Sequence, residues 1–443
     1  MPKKIAFIGA GSFGFTRGLV NDILTFPAFA DCTLALMDID PKKLDFITRA
    51  VQKIVASSGL PINIISTLSR EEALEGADGV VCTILCGEVD VWRRDLEIPA
   101  AFGVESSVGD TRGPMGIFRF LRTAPVMLDI CADIARLCPQ AIFLNYTNPM
   151  AMLCRIMQGQ FPQLTISGLC HSVQGTAEML AGWIDADIKD ITYTCAGLNH
   201  QAFYLDFKHK GQDAYPALKA AMEKPEIFDT ERIRIDMCRA LDYFVTESSI
   251  HSSEYVPWIR KTAALSDYYF PERHTGGYGK TLSIVDGYLS REDSWEQTTR
   301  DYLDGDIQLQ PRGHEYAAYI FDAVFGAKGL YTFNGNVRNF DIIDNLPYGA
   351  CVEVPCLASP KGIETQRVGS LPPQLALLCS INAQIEEMAV EASLTGDPRL
   401  IYQAICYDPL TSAVLGLDEI KDMTNQLFAA SAEFLPQFGC KKV

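Results

Sequence analysis

Long hydrophobic runs are missing from this 443-residue chain. No apolar stretch approaches the roughly 20 residues that a membrane-spanning helix needs. The amino terminus, MPKKIAFIGAG, enters a strand pattern directly and does not resemble a signal peptide. Basic residues are scarce, since 38 lysines and arginines face 55 aspartates and glutamates, a net charge of −17. That balance argues against nucleic acid and anionic membranes as partners, because both need a basic surface. We therefore expect a cytoplasmic protein that binds a small molecule.

The 14 cysteines lack the spacing of a disulfide framework, and the chain has no tandem repeat or low-complexity tract. Scattered cysteines, some of them inside apolar runs such as CTILC, are typical of reduced thiols in a cytoplasm. With 48% hydrophobic residues, a chain of this length can build two or three domains with ample cores.

Short apolar runs alternate with helical patterns through the first half, which is typical of a parallel sheet flanked by helices. We predict strands at KIAFIGAG, CTLALMDID, GVVCTILCG, AIFLNYTNP and TISGLC, and a helix over Met115 to Leu137. Apolar continuity in these strands indicates burial on both faces. The predicted fold class is α/β: an N-terminal Rossmann-type, doubly wound parallel sheet over residues 1–168, and a C-terminal mixed α+β domain over 169–443. Within the latter we expect a strand pair over 190–212, a flap or subunit-contact segment over 266–310, and a helical tail.

A glycine-rich segment separates the first strand from a helix. It fits G-x-G-x-x-G, in which glycines let the backbone approach a pyrophosphate on the helix N-terminus. Asp38 ends the second strand, where a carboxylate accepts a ribose 2′-hydroxyl and repels the 2′-phosphate of NADP. A tight strand-to-helix turn without a ligand would show the same local pattern. We predict NAD binding by Gly9, Gly11, Ser12, Phe13, Gly14 and Asp38.

Further polar residues stand at predicted strand ends. Cys170 lies in GLCHSVQGTAE, and Asn199 precedes His200 at the end of CAGLNH. Their spacing alone does not distinguish a metal site from a buried thiol and a histidine in a turn. Asn145 and Asn148 in NYTNPM end a strand of the doubly wound sheet, where ligands bind. An Asn-Pro turn explains Asn148 equally well.

Eight stretches resemble family 4 glycoside hydrolases, most closely the bacterial α-galactosidase branch that acts on melibiose. They run in order over nearly the whole chain: GAGS, LMDID, DTRGPMGIFRFLRT, LNYTNPMAM, GLCHSVQGTAE, CAGLNHQAFYL, YFVTESSIHSSEYVPW and GNVRNFDIIDNLP. NAD-dependent members of this family are exceptions to the two-carboxylate scheme of glycosidases. The resemblance implies a divalent metal, usually Mn²⁺, on Cys170 and His200, together with NAD.

The resemblance also implies a mechanism of oxidation, elimination, addition and reduction. NAD⁺ takes hydride from C3 of the sugar, and the ketone, polarised by the metal, makes the C2 proton removable by a base. The leaving group then departs from C1, water adds, and the hydride returns. Tyr255 in SEYVPW is the implied base, with an aromatic core residue as the alternative. His171 stands where phosphoglycosidase branches carry an acidic aspartate, so it is the candidate general acid, or else a histidine that only positions the loop.

Other residues take implied roles in ligand contact. VDVWRRDLEIP places Trp92 where the phosphoglycosidase branch has a phosphate-binding arginine, and an aromatic platform suits an unphosphorylated sugar. A helix cap is the alternative for Asp110, and a turn with a solvated arginine is the alternative for Arg338. The predicted sugar contacts are Asn148, Asn199, Asn336 and Arg338, and the further cofactor contacts are Asp110 and Asn145.

The leading functional hypothesis is an α-galactosidase. Alternatives are the same chemistry on an α-glucoside or a uronic acid glycoside, a 2-hydroxyacid dehydrogenase, and an idle NAD-binding sensor. Family resemblance implies a homodimer or homotetramer.

Overall fold

The computed structural model describes residues 2–271, 279, 281–326, 329–439 and 443, without the side chains of residues 292 and 293. Its strands are β1 Lys4–Ile8, β2 Thr33–Met37, β3 Asn63–Thr67, β4 Gly79–Cys82, β5 Ile142–Asn145, β6 Thr165–Gly168, β7 Ile191–Leu198, β8 Gln201–His209, β9 Gln212–Asp213, β10 Tyr331–Arg338, β11 Cys351–Ser359 and β12 Gly362–Thr365. They form one sheet in the order β3-β2-β1-β4-β5-β6-β10-β11-β7-β8-β9, and β12 pairs with β11.

The helices of the described residues are α1 Phe13–Leu24, α2 Pro41–Ser58, α3 Arg70–Leu74, α4 Val89–Ala101, α5 Gly113–Leu137, α6 Met150–Gln160, α7 Ser172–Trp183, α8 Tyr215–Ala221, α9 Pro225–Phe228, α10 Arg232–Leu241, α11 Ser249–Ser252, α12 Ala263–Tyr269, α13 Ser283–Asp304, α14 Tyr316–Phe325, α15 Pro373–Thr395, α16 Pro398–Tyr407, α17 Pro409–Val414 and α18 Leu417–Ala430. None of them is both long and apolar enough to cross a membrane.

Strands β1 to β6 are parallel and lie in the order 3-2-1-4-5-6, which is the order of dinucleotide-binding folds. Along β1, Ile5 and Phe7 pack into one hydrophobic core, whereas Ala6 and Ile8 pack into another. Alternate side chains of a strand point to opposite faces, so the sheet is covered on both sides. The predicted Rossmann-type, doubly wound parallel sheet is confirmed.

The C-terminal half extends the same sheet with antiparallel strands. β10 meets β6 where Asn336 pairs with Gly168, and β11 meets β7 where Glu353 pairs with Gly197. Helices α15 to α18 then follow, as the sequence predicts for the tail. The mixed α+β character of this half is confirmed. The boundary at residue 168 stays a prediction, because the sheet continues across it.

Some elements differ from the prediction. β3 is a half-exposed edge strand of five residues, NIIST, without clear alternation, so GVVCTILCG contributes the fourth strand and not the third. The first four residues of GNVRN lie in β10 and not in a turn, and Arg338 is the last residue of that strand. Much of segment 266–310 is the 22-residue helix α13. Residues 272–278 and 280 of the predicted flap lie outside the described residues.

Candidate active site

Asp38 holds the glycine loop that follows β1. Its Oδ2 accepts a hydrogen bond from the N–H of Gly11 at 2.7 Å, and its Oδ1 accepts one from the N–H of Asp40 at 2.9 Å. A Cβ on Gly11 would lie 2.7 Å from Asp38 Oδ2. A Cβ on Gly9, whose φ is +84°, would lie 2.9 Å from the carbonyl oxygen of Thr83. Both positions therefore require glycine, and the carboxylate lies beside the loop as the sequence predicts.

The first turn of α1 is open to an anion. Ser12 is the N-cap residue, and no side chain caps the turn that Phe13 begins. Uncapped N–H groups and the helix dipole favour a phosphate at this end. A Cβ on Gly14 would meet nothing within 4 Å, so this glycine leaves space and is not required by helix–strand packing. The loop fits the pyrophosphate of a dinucleotide.

Cys170 and His200 come together from different elements. Cys170 follows β6, and His200 is the second residue of the two-residue turn between β7 and β8. Cys170 Sγ lies 3.2 Å from His200 Nε2, and the two residues are only 9% and 4% exposed. A sulfur and a ring nitrogen at this separation can bind one divalent ion between them. The structure thus brings the predicted metal ligands together.

The electrostatics of this pair follow from burial. Burial, followed by the charge of Glu247, raises the pKa of the Cys170 thiol well above its usual range. Burial lowers the pKa of His200 to about 4, so its imidazole is neutral, which is the ligand form. A divalent cation held by Cys170 would favour the thiolate and so oppose the effect of burial on this thiol.

Thr111 determines the tautomer of His200. Its Oγ1 donates its hydrogen to Asp110 Oδ1 at 2.7 Å, so it can only accept from His200 Nδ1, which is 3.0 Å away. The ring hydrogen is therefore on Nδ1, and the lone pair of Nε2 faces Cys170. Such a partner on the far ring nitrogen orients metal-binding histidines.

Asp110 belongs to this cluster and does not cap a helix. Its Oδ2 accepts from Asn148 Nδ2 at 3.0 Å, whereas the N-cap of α5 is Arg112. The helix-cap alternative for Asp110 is therefore wrong. Asn148 Oδ1 is buried and has no hydrogen-bond partner among the described residues, which leaves an acceptor for a ligand.

Glu247 and His251, which the sequence analysis does not select, complete the cluster. Glu247 Oε2 lies 3.6 Å from His200 Nε2, and Oε1 lies 3.2 Å from His251 Nδ1. Burial would raise the pKa of Glu247, but the histidines, His251 first, hold it below its usual value. Burial would lower the pKa of His251, but Glu247 and Asp110 hold it above its usual value. In the sequence, these two residues could have been selected from the four-residue spacing between Glu247 and His251 in TESSIHSSEY.

Tyr255 is 1% exposed and lies beside the cluster. Its ring centroid is 6.4 Å from that of His251, and Arg112 Cζ is 4.9 Å from the ring. Thr111 lies near the buried hydroxyl, which nevertheless has no partner of hydrogen-bond geometry among the described residues. Burial first, and then Asp110, raises the pKa of Tyr255 well above 10. When only the charges of the protein itself act on Tyr255, its hydroxyl is therefore protonated at neutral pH.

His171 faces a cavity and not the helix it precedes. It is the N-cap residue of α7 but forms no capping hydrogen bond with its side chain, which is 60% exposed. Its Nδ1 lies 3.4 Å from Glu315 Oε1, and Glu315 raises the pKa of His171. The cavity measures about 730 Å³, a volume typical of small-molecule sites, and neither Cys170 nor His200 lines it. Its walls include Phe15, Asn21, Asp22, Tyr302, Gln310 and Glu315.

Asn199 lies within the cluster. It is fully buried, and neither atom of its amide has a hydrogen-bond partner among the described residues. Glu353 is nearby, and neither of its carboxyl oxygens has a partner of hydrogen-bond geometry among the described residues. Burial, followed by the charge of Glu247, raises its pKa to about 8, although the Asn199 amide and the N–H of His200 lie close enough to lower it. Buried polar groups in folded proteins are nearly always paired, so these atoms indicate a place where a ligand binds.

Asn145 and Asn336 are held by their own surroundings. Asn145 Nδ2 donates to the carbonyl oxygen of Thr147, and its Oδ1 accepts from the N–H of Thr147, both at 3.0 Å. It therefore shapes the turn that carries Asn148. Asn336 Nδ2 donates to the carbonyl oxygen of Gly168 at 3.3 Å, while its Oδ1 is buried without a described partner.

Arg338 and Trp92 are not brought into the cluster. Arg338 Nε donates to the carbonyl oxygen of Gly349, and its guanidinium lies 4.9 Å from the ring of Phe340. Trp92 is buried, and its Nε1 donates to the carbonyl oxygen of Val108 at 2.8 Å. Trp92 is a core residue and not an accessible sugar platform, and the contacts of Arg338 favour a structural role.

Two family models match the chain. "Family 4 glycosyl hydrolase" matches residues 4–186, and "Family 4 glycosyl hydrolase C-terminal domain" matches residues 195–411. An α-galactosidase of Bacillus subtilis is 36% identical over 98% of this chain and all of its own length. An α-galactosidase of Rhizobium meliloti is 34% identical over 98% of this chain and 90% of its own length.

Solved structures show the same fold. A putative glucosidase from Bacillus subtilis superposes with a TM-score of 0.84 at 26% identity, covering 96% of this chain and 99% of its own. A 6-phospho-α-glucosidase from gut microorganisms, solved in complex with NAD and Mn²⁺, has a TM-score of 0.81 at 20% identity, covering 98% and 99%. The predicted family resemblance is confirmed, and this chain belongs to glycosyl hydrolase family 4.

Proposed function

We propose that this protein is an NAD- and Mn²⁺-dependent α-galactosidase that hydrolyses α-galactosides such as melibiose. The observation that carries the proposal is the approach of Cys170 Sγ to His200 Nε2, 3.2 Å, beside buried polar atoms that have no hydrogen-bond partner among the residues the structure describes. The choice of galactoside is supported by two α-galactosidases that are more than 30% identical over nearly the whole chain.

Separate parts of the chain would hold the two cofactors. The glycine loop and the first turn of α1 suit the pyrophosphate, and Asp38 suits the ribose. Cys170 and His200 suit the divalent ion. When bound, NAD supplies a hydride acceptor and Mn²⁺ supplies a Lewis acid that makes a sugar C–H beside a ketone acidic. Asn148 and Asn199 would bind sugar hydroxyls with their unpartnered amide atoms.

Tyr255 would remove the C2 proton of the sugar. Its hydroxyl is buried and has no partner of hydrogen-bond geometry among the described residues, so a substrate atom can become its partner. The positive charge of Arg112, 4.9 Å from the ring, lowers the pKa of Tyr255 against the effects of burial and Asp110. A divalent cation in the same cluster acts in the same direction, and this is what lets a tyrosine serve as base.

His171 would protonate the leaving oxygen. Its side chain is exposed at the wall of the cavity, and Glu315 raises its pKa, which favours the acid form. The cavity then receives the leaving sugar. The exposed amide of Gln310 would offer it hydrogen bonds, and Phe15 and Tyr302 would offer apolar surface.

The test is hydrolysis of p-nitrophenyl α-galactoside with NAD⁺, Mn²⁺ and a thiol reductant, each omitted in turn. The reductant keeps Cys170 from oxidation. We expect activity that requires all additions and no accumulation of NADH. Hydrolysis of p-nitrophenyl α-glucoside but not of the galactoside would contradict the proposed substrate, while the proposed reaction would still hold. Stoichiometric NADH from a hydroxy acid, or no turnover of any glycoside, would contradict the proposed reaction.

A further inference from the structure

We propose that Glu247 is a third protein ligand of the metal held by Cys170 and His200, an assignment that rests on the proposed function. Its Oε2 lies 3.6 Å from His200 Nε2. One ligand atom from each of the three residues lies within 4.8 Å of both others. The three ligand atoms therefore border one small space, in which a divalent ion could draw all three to bonding distance.

The chemistry of the donor set favours this assignment. A thiolate is a soft ligand and an imidazole an intermediate one, whereas Mn²⁺ is best suited by carboxylate oxygen. Cys170 and a neutral His200 would supply one negative charge to a dication. Glu247 supplies the second charge and a hard oxygen, so the buried site becomes neutral when it is filled.

Glu247 is already oriented for this role. Its Oε1 lies 3.2 Å from His251 Nδ1, and that nitrogen lies 2.9 Å from Ser248 Oγ. This ion pair draws one carboxylate oxygen toward His251 and leaves the other for the ion, as the surroundings of metal sites orient carboxylate ligands.

The backbone at two of these ligands is also unusual. His200 has a φ of +60° and Glu247 a φ of +72°. Residues other than glycine seldom adopt this left-handed region, and where they do, the surrounding structure or the function maintains it. Here both residues direct their side chains at the same point.

A competing set shares one residue with the first. Asp110, His200 and His251 also bring ligand atoms within 4.8 Å of one another. Thr111 already occupies His200 Nδ1, and Asp110 already accepts from Thr111 and Asn148. The set with Cys170 leaves His200 Nε2 free for the ion, so we favour it. The two sets differ in a measurable way, because only one contains a thiolate.

Metal binding by the full-length protein, without sugar or NAD, tests the assignment. Mn²⁺ affinity would be measured by electron paramagnetic resonance, and Co²⁺ substitution would report the thiolate-to-cobalt charge-transfer band. Glu247→Gln keeps the shape and removes the charge. Glu315→Gln is the matched control, because it removes a carboxylate beside His171 that is outside the ligand set.

We expect Glu247→Gln to weaken Mn²⁺ binding by about 100-fold or more, since loss of a mere orienting partner already costs about 10- to 100-fold. The cobalt–thiolate band should survive at saturating metal. Glu315→Gln should change affinity less than about threefold, because it acts only through a screened charge. Glu247→Asp retains the negative charge but moves the carboxylate oxygen away from the ion by one methylene group. We therefore expect an Mn²⁺ affinity between those of the wild type and Glu247→Gln.

Equal losses in Glu247→Gln and Glu315→Gln, or unchanged affinity in Glu247→Gln, would overturn the assignment. Should Glu247→Gln fail to fold, wild-type affinity in Glu247→Asp would overturn it, because a charge without a bond would then suffice. In each of these cases, a cobalt–thiolate charge-transfer band in the wild-type protein would still support metal binding at Cys170 and the proposed function. Absence of metal binding and of the band in the wild type would overturn both.

Discussion

Tyr255 carries a buried hydroxyl with no described partner, so its effects on stability and on activity should separate. Tyr255→Phe removes an unsatisfied polar atom, and we expect the free energy of unfolding to stay constant or rise by about 1 kcal/mol. Loss of the base should reduce kcat by about 10²- to 10⁴-fold. Thermal unfolding and steady-state kinetics on one preparation measure both.

Tyr204 offers the matched control. It is fully buried, and its hydroxyl donates to the carbonyl oxygen of Val173. Tyr204→Phe should therefore lose about 1 kcal/mol of stability while kcat stays near wild type. If Tyr255→Phe behaved like Tyr204→Phe, the tyrosine would be a core residue and not the base.

Thr111 acts at the residue scale through His200. Thr111→Val keeps the volume but removes the acceptor for His200 Nδ1, and the ring then loses its preferred tautomer. We expect Mn²⁺ affinity to fall about 10- to 100-fold. The control is Thr123→Val in α5, because the hydroxyl of Thr123 donates to a carbonyl of its own helix and not to a metal ligand. Wild-type Mn²⁺ affinity in Thr111→Val would contradict the role of Thr111.

At the scale of elements, one carboxylate holds the loop that precedes α5. Glu254 accepts hydrogen bonds from three consecutive backbone N–H groups, of Ser107, Val108 and Gly109, at 2.8, 2.9 and 2.9 Å. The loop leads directly to Asp110 and Thr111. Glu254 thereby couples the segment that carries Tyr255 to the segment that orients His200.

Glu254→Gln should loosen this loop. An amide NH₂ cannot accept a hydrogen bond, so at least one buried N–H group loses its partner, at a cost of about 1–3 kcal/mol. Hydrogen exchange should accelerate at residues 107–109, and thermal unfolding should report the loss. Glu419→Gln is the control, because Glu419 accepts one exposed N–H, that of Gly416. Equal effects in Glu254→Gln and Glu419→Gln would contradict the role of the three buried hydrogen bonds of Glu254 in holding this loop.

At the scale of the whole molecule, the sheet passes from the N-terminal to the C-terminal half through the β6–β10 contact. A shared sheet with a core on each face should unfold as one cooperative unit, despite the length of the chain. We expect a single calorimetric transition, which coincides with loss of far-ultraviolet circular dichroism.

Tryptophan fluorescence locates any second transition. Trp92 is the only one of the four tryptophans before residue 168. A Trp92→Phe variant would remove the tryptophan fluorescence of residues 1–168. Two resolved transitions, one of which lost its fluorescence change in this variant, would contradict cooperative unfolding and support independent domains divided near residue 168. Light scattering would test the expected homodimer or homotetramer in the same samples.

The sequence by itself determined what depends on neighbours along the chain. The glycines before α1, the acid after β2 and the apolar strands of the first half follow from local backbone needs and from burial on both faces. The family could be identified because its motifs run through the chain in order. Cys170 and His200 were linked by that resemblance and not by their spacing.

Only the tertiary structure decided which distant residues meet. Strand pairing across the sheet and the hairpin turn at His200 bring Cys170 and Glu247 to one nitrogen of the His200 ring and Thr111 to the other. Such nonlocal contacts leave no period in the sequence. The same contacts bring Glu315 to His171 and hold Arg338 away from the cluster. Edge strand β3 escaped prediction because a half-exposed strand of five residues lacks a strong apolar pattern, and its partner strand stabilises it.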